Sequence, residues 1–288
     1  MCTRHNRQSG FTLVEMIMVI VITGIIGGIV AVFLKAPIQQ YMDVARRAEL
    51  TDIADTALHR MVRDVRTAVP NSVRVTGVAP NFNIEFLPTK TGGRYRAFAA
   101  GGAGGCGGAG DELAFAPAPA DTCFEVIGSP IAVAANDYIV VGSTQSDAVP
   151  PYDTSATGVL RQATAVGAVG AVQNITMAGA ASLPAFAQLD SQRFQVVDGI
   201  QQAVTFACET VGTSAAGDGT GKLMRYWGYG FTHTLGATKA LLADKVSACT
   251  IDYDVTNQRF GLLAVRLTLT SGGESVSLYN EIHVNNAP

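Results

Sequence analysis

Four histidines, five cysteines and twenty-three carboxylates are the raw material for chemistry in this 288-residue chain, and their spacing favours little of it. His5, His59, His233 and His283 form no HExxH pattern or other close metal spacing. Cys2, Cys106, Cys123, Cys208 and Cys249 contain no CxxC pair of the kind a zinc site or redox motif needs. No serine sits in a GxSxG elbow. GDGTGKL, Gly217 to Leu223, invites comparison with a phosphate-binding loop, but Ala216 stands where that loop needs glycine and Leu223 where it needs serine or threonine. A hairpin loop fits it better. Asp252 and Asp254 flank Tyr253 and could touch a calcium ion, although alternating strand carboxylates facing solvent explain them more simply. Asn174-Ile175-Thr176 matches a glycosylation acceptor, a common chance triplet. The sequence therefore offers no catalytic residue, no metal ligand and no cofactor.

One carboxylate stands out by its placement. Glu15 sits at the mouth of a run from Met16 to Leu34 that carries no charge and, in Thr23, a single hydroxyl. At about 1.5 Å per residue such a helix covers roughly 28 Å, close to the hydrocarbon thickness of a bilayer. A carboxylate at that edge is costly and is generally paired or functional, unless it merely marks the interfacial end of the span. Arg4, His5 and Arg7 precede the run, so the positive-inside rule places the N-terminus in the cytoplasm and the rest of the chain outside. No small-x-small pair closes the stretch from Ala31 to Pro37, so the run is expected to be retained rather than cut off as a secretory signal.

The elements around these residues follow from hydrophobic period. Pro37 is expected to kink or interrupt the first helix, and Gly24, Gly27 and Gly28 to weaken it. From Ile38 to about Val69 the pattern turns amphipathic, with Leu50, Ala54, Ala57, Leu58, Met61, Val65 and Ala68 on one stripe. Asp43 and Arg47 are spaced as an i,i+4 ion pair, and Pro70-Asn71 should end the helix. The stripe fits packing on the chain's own sheet, or between helices of neighbouring chains.

Beyond Asn71, VRVTGV, FNIEFLP, ELAFAP, YIVVG, RFQVV and AVTFAC read as short strands. The clearest signal is a terminal hairpin. Leu263, Val265, Leu267 and Leu269 alternate along one strand, Ser271-Gly272-Gly273-Glu274 turns the chain, and Val276, Leu278, Ile282 and Val284 share a face of the return strand. Net charge is −3 and only 15% of residues are charged, so no basic surface points to nucleic acid. Tyr226, Trp227, Tyr229 and Phe231 come nearest to an aromatic binding patch, and fit a strand-and-turn core equally well.

Ser9-Gly10-Phe11-Thr12-Leu13-Val14-Glu15 resembles the type IV prepilin signal: a short basic leader ending in glycine, then a phenylalanine, then a glutamate four residues on. The resemblance covers about the first seventy residues and implies a type IV pilin or pseudopilin. Arg4 and Arg7 would supply the leader's positive charge. A membrane peptidase would cut between Gly10 and Phe11 and methylate the amine of Phe11. Glu15 would neutralise the new amine of a neighbouring subunit during assembly. A narrower likeness extends over ARRAELTDIADTALHRMVRDVRTAVPNSVRV, residues 45–75, and NIEFLPTKTGGRYRA. There the chain looks like the MshO class of minor pilin-like proteins of MSHA-type pili, themselves similar to J-type minor pseudopilins of type II secretion. The implied role is a low-copy subunit of a tip complex that primes or caps filament assembly. Its implied partners are other major and minor pilin-like subunits, the prepilin peptidase, the inner membrane and the assembly platform. A minor pseudopilin of a type II secretion system and an adhesive, pilus-borne binding subunit are the rival readings. Because Glu15 is present, the chain is expected to stack beneath another subunit.

On this view the chain is α+β: a leader over 1–10, a membrane and assembly helix over 11–35, its amphipathic continuation over 36–70, and an exported, periplasmic β-rich domain over 71–288 packed on the helix. Loss of the leader would leave four cysteines in an oxidising compartment. Cys106–Cys123 and Cys208–Cys249 are the natural pairs, although four cysteines permit three connectivities and the sequence does not choose among them.

Overall fold

The computed structural model describes residues 10–99, 110–144, 150–169, 172–179, 181–254 and 260–286. The fold is α+β. A long helix, α1 (Leu13–Arg66), precedes thirteen strands among the described residues. The chain divides into two compact units, one through Glu49 and one from Leu50 onward.

In the first unit every described residue from Gly10 to Met42 is solvent-exposed. Pro37 does not interrupt the helix, which contains it. Helical runs on both sides already carry the nucleation cost, so the single lost N–H bond at proline is tolerated. Asp43 Oδ1 lies 3.2 Å from Arg46 Nη1, one turn along the same face.

In the second unit Leu50, Ala54, Ala57, Leu58, Met61, Val62 and Val65 are buried. They are the expected stripe with Val62 added and without Ala68, which is buried just beyond the helix end. The helix stops at Arg66, earlier than Pro70, because the chain turns into a bridge between Ala68 and Pro88 and Val69 N donates to Leu87 O at 2.8 Å.

The strands are β1 (Arg74–Val78), β2 (Asn81–Phe86), β3 (Thr89–Tyr95), β4 (Cys123–Ile127), β5 (Tyr138–Val141), β6 (Leu160–Val169), β7 (Val172–Met177) and β8 (Arg193–Val197). They continue as β9 (Val204–Glu209), β10 (Gly221–Trp227), β11 (Lys239–Asp252), β12 (Leu262–Ser271) and β13 (Glu274–His283). A seven-stranded antiparallel sheet has the order β1-β2-β9-β10-β11-β12-β13, while β3-β4-β7-β6-β5-β8 closes into a six-stranded barrel. The barrel strands are inserted in sequence between β2 and β9, which pair with each other in the larger sheet.

Each sheet has its own core. Leu50 to Val65 of α1 pack on Ile84, Phe86, Phe206, Leu223, Leu263 and Leu267 of the large sheet. The barrel closes around Tyr95, Phe124, Ile139, Ile175, Phe194 and Val196. The terminal hairpin has the expected register, with Leu267 opposite Leu278 and Leu269 opposite Val276. Gly272 and Gly273 turn it at φ 58° and 85°, a two-residue turn that glycine adopts without a Cβ clash. ELAFAP is not a strand. Phe115 makes one bridge to Leu183, and Pro117 follows without an N–H to extend a ladder.

Candidate functional site: the N-terminal segment

The strongest functional signal lies on the first turns of α1, and the residues there fold locally for identifiable reasons. Thr12 stands just before the helix. Its Oγ1 accepts the backbone N–H of Glu15 at 3.3 Å, and its carbonyl accepts from Met16 N at 3.2 Å. Thr12 is thus the N-cap, and Glu15 occupies the third helical position, the T-x-x-E spacing of a capping box. The carboxylate there also lies at the positive end of the helix dipole. Sequence reading missed this second role of Glu15, although the spacing carried the signal.

Gly10, Phe11 and Glu15 come together within this exposed stretch, and no heavy atom would obstruct a Cβ at Gly10. The backbone at the Gly10–Phe11 bond is therefore open to solvent. Phe11 is 78% exposed. Arg4 and Arg7 lie outside the described residues. Among the described residues no side chain pairs with the carboxylate of Glu15.

The helix that follows is long and apolar enough to cross a membrane, and none of its most apolar window is buried. Thr23 does not break its apolar character, because its Oγ1 donates to Val19 O at 2.6 Å. Burying one large aliphatic side chain is worth about 1.5–3 kcal/mol, so this uncovered surface represents tens of kcal/mol by order of magnitude. It demands lipid or neighbouring helices.

The other sequence candidates fall elsewhere. Cys208 and Cys249 form a disulfide between β9 and β11. Cys123, buried at the start of β4, is also disulfide-bonded; Cys106, its expected partner, lies outside the described residues. GDGTGKL belongs to the β9–β10 hairpin. Asn174 is buried in β7, unsuited to glycosylation. No group of three or more metal-capable side chains occurs among the described residues.

A buried hub at Glu85 was not legible beforehand. Its carboxylate accepts from Arg74 Nε at 2.9 Å and Tyr229 OH at 3.0 Å, and His233 Nδ1 lies 2.9 Å from it. Burial, and then the nearby Glu85 charge, push the Tyr229 phenol well above its ordinary pKa. The four residues are spread from 74 to 233, so no local motif announces them. Tyr229 and Phe231 pack against the barrel core and Tyr226 is buried, which makes most of the aromatic cluster structural.

Residues 5–31 match the family model of the prokaryotic N-terminal methylation motif. The matched stretch spans Gly10, Phe11, Thr12, Glu15 and most of the exposed apolar run. It marks the chain as carrying the prepilin signal of type IV pilin-like precursors, a class of structural subunits handled by prepilin peptidase and assembled with other pilin-like chains. The apolar helix fits the membrane anchor of such a protein. No curated protein and no solved structure matches the chain.

Proposed function

We propose that this chain is a minor pilin-like subunit that primes or caps assembly of a type IV filament, of the MSHA type, through a tip complex. The observation that carries the reading is the register of the methylation motif. Gly10, Phe11 and Glu15 stand together at the mouth of an apolar helix whose side chains are exposed.

Cleavage after Gly10 creates an amine at Phe11, one residue before the helix cap, and its methylation keeps the charge. That cation lies next to the positive end of the helix dipole and at the membrane edge, both unfavourable. A neighbouring subunit's Glu15 offsets the cost by pairing with it, a pairing strengthened where water is scarce. Phe11 to Lys35 then anchors the subunit in the bacterial inner membrane, N-terminus cytoplasmic, until the assembly platform passes it into the filament. The exported domain, with a six-stranded barrel inserted into the sheet that carries α1, is bulky for a repeating shaft subunit. That bulk supports a low-copy position.

The test is Gly10→Trp and, separately, Glu15→Ala in the native host. Gly10→Trp is expected to abolish processing. Glu15→Ala is expected to leave cleavage intact and lower both filament number and crosslinking to other pilin-like subunits. Processing of the Gly10 variant, or normal piliation in both, would refute the reading.

A further inference from the structure

On the barrel, far in sequence from the N-terminal segment, a cavity of about 480 Å³ opens beside Arg161 of β6. That volume is in the range that holds a small ligand. Arg161 is only 5% exposed, and its Nη1 and Nη2 donate to Ser155 O at 2.6 Å and Ala156 O at 2.5 Å. Both acceptors are neutral. Asp153 lends a favourable field, but its Oδ1 is engaged by Ser155 N at 2.8 Å, and among the described residues no carboxylate forms an ion pair with Arg161. A buried guanidinium with no carboxylate in direct contact is an expensive feature to maintain for structure alone.

Among the described residues no acceptor takes a hydrogen bond from Arg161 Nε, and Gly179 packs closely over the Nε–Cδ part of the side chain. A Cβ at residue 179 would lie 3.2 Å from Arg161 Nε and 3.4 Å from its Cδ. The cavity's other walls are chemically mixed. Tyr138 and Phe231 meet edge to face, centroids 4.7 Å apart, and form an apolar corner. Gln162, opposite Tyr138 across β5 and β6, and Thr232 bring hydrogen-bonding groups to the lining. The segment carrying Phe231 and Thr232 is held in place by Tyr229 and His233 at Glu85.

We propose that this cavity binds a carboxylated sugar of the uronic acid class, its carboxylate on the Nε edge of Arg161 and one ring face against the Tyr138–Phe231 corner. A planar carboxylate matches the guanidinium fork as two parallel N–H···O bonds. A pyranose ring supplies both a C–H face for the aromatic corner and hydroxyls for Gln162 and Thr232. Inorganic phosphate would use the fork and leave the corner empty. The site does not depend on processing or assembly, so it stands or falls separately from the proposed function.

The experiment is calorimetric titration of the full chain in detergent micelles with sodium glucuronate, and in parallel with glucose and sodium phosphate. Saturable glucuronate binding is expected, with glucose and phosphate each at least about tenfold weaker, a loss of about 1.4 kcal/mol. Arg161→Gln is expected to weaken glucuronate by at least about tenfold without changing the circular dichroism spectrum. Gln162→Glu, which adds a like charge to the lining without removing Arg161, is expected to weaken it by about threefold or more, and keeps the test decisive if Arg161→Gln fails to fold. Absence of saturable glucuronate binding, equal binding of glucose or phosphate, or an unaffected folded variant would overturn the proposal.

Discussion

The backbone N–H of Glu15 donates to the hydroxyl of Thr12 at 3.3 Å, so the acid at the mouth of the apolar run also completes the start of its helix. The two roles are compatible because they use different atoms. The cap uses the amide of Glu15 and leaves its carboxylate available for the pairing proposed above.

Thr12→Ala removes the cap acceptor and is expected to cost about 1 kcal/mol at the helix start. Amide hydrogen exchange of residues 13–16 in micelles should speed up while exchange around Met61 stays unchanged. Equal exchange in parent and variant would show that the cap contributes nothing.

Arg225 Nε contacts Asp64 Oδ2 at 2.9 Å and joins β10 to the last turns of α1, with the arginine side chain 8% exposed and the aspartate 23%. Because Asp64 keeps some water, the pair is worth less than a fully buried one, and Arg225→Ala should destabilise the domain by about 2 kcal/mol. A double-mutant cycle with Asp64→Ala by denaturant unfolding should give a positive coupling energy. A coupling of zero would assign the cost to lost packing of Arg225 on Trp227.

The Cys208–Cys249 bond closes a 41-residue separation within the helix-facing core. Replacing both cysteines with alanine should lower unfolding free energy by about 2–4 kcal/mol, mainly through a less constrained unfolded chain. Unfolding midpoints of parent and double variant, compared under oxidising conditions, measure the difference.

Asp111 gives a pH signature. Burial first, and then the charges of Asp121, Glu112 and Glu125, raise its carboxyl pKa to about 6 from 3.8. Between those values the folded chain holds a proton that the unfolded chain releases, so this residue's contribution to stability falls as pH rises through the window. Asp111→Asn should flatten that fall, leaving the variant close to the parent near the bottom of the window and more stable above it. Unfolding curves at stepped pH check this; an unchanged slope would place the dependence on other groups.

How much was legible beforehand depended on how regular each element is. The terminal hairpin could be read because alternation is unbroken from Leu263 to Leu269 and the Gly272-Gly273 turn suits its geometry. The buried stripe of α1 could be read because its spacing is helical throughout. Strand β11 was hidden. Its register shifts between Val246 and Ala248, Lys245 takes φ 57°, and burial steps by three from Ala243 to Val246 to Cys249 before the two-residue step to Ile251. The barrel was hidden too, since Gly92-Gly93 of β3 and the alanine-rich β6 have little strand character of their own, and the closure depends on long-range pairing. At the candidate site the methylation register was plain from Gly10 to Glu15, whereas Glu85 and Arg161 gain their meaning from residues far apart in sequence.

The central claim is that the opening decapeptide is removed and Phe11 becomes a methylated, charged terminus. Intact-mass and N-terminal peptide mass spectrometry of the chain purified from its native host tests this directly. The expected result is a mature chain that begins at Phe11, lacks the first ten residues and carries one added methyl group on its amine, with the full-length form accumulating in Gly10→Trp. A chain that retains Met1 to Gly10, or that is cut after the apolar run instead, would contradict it.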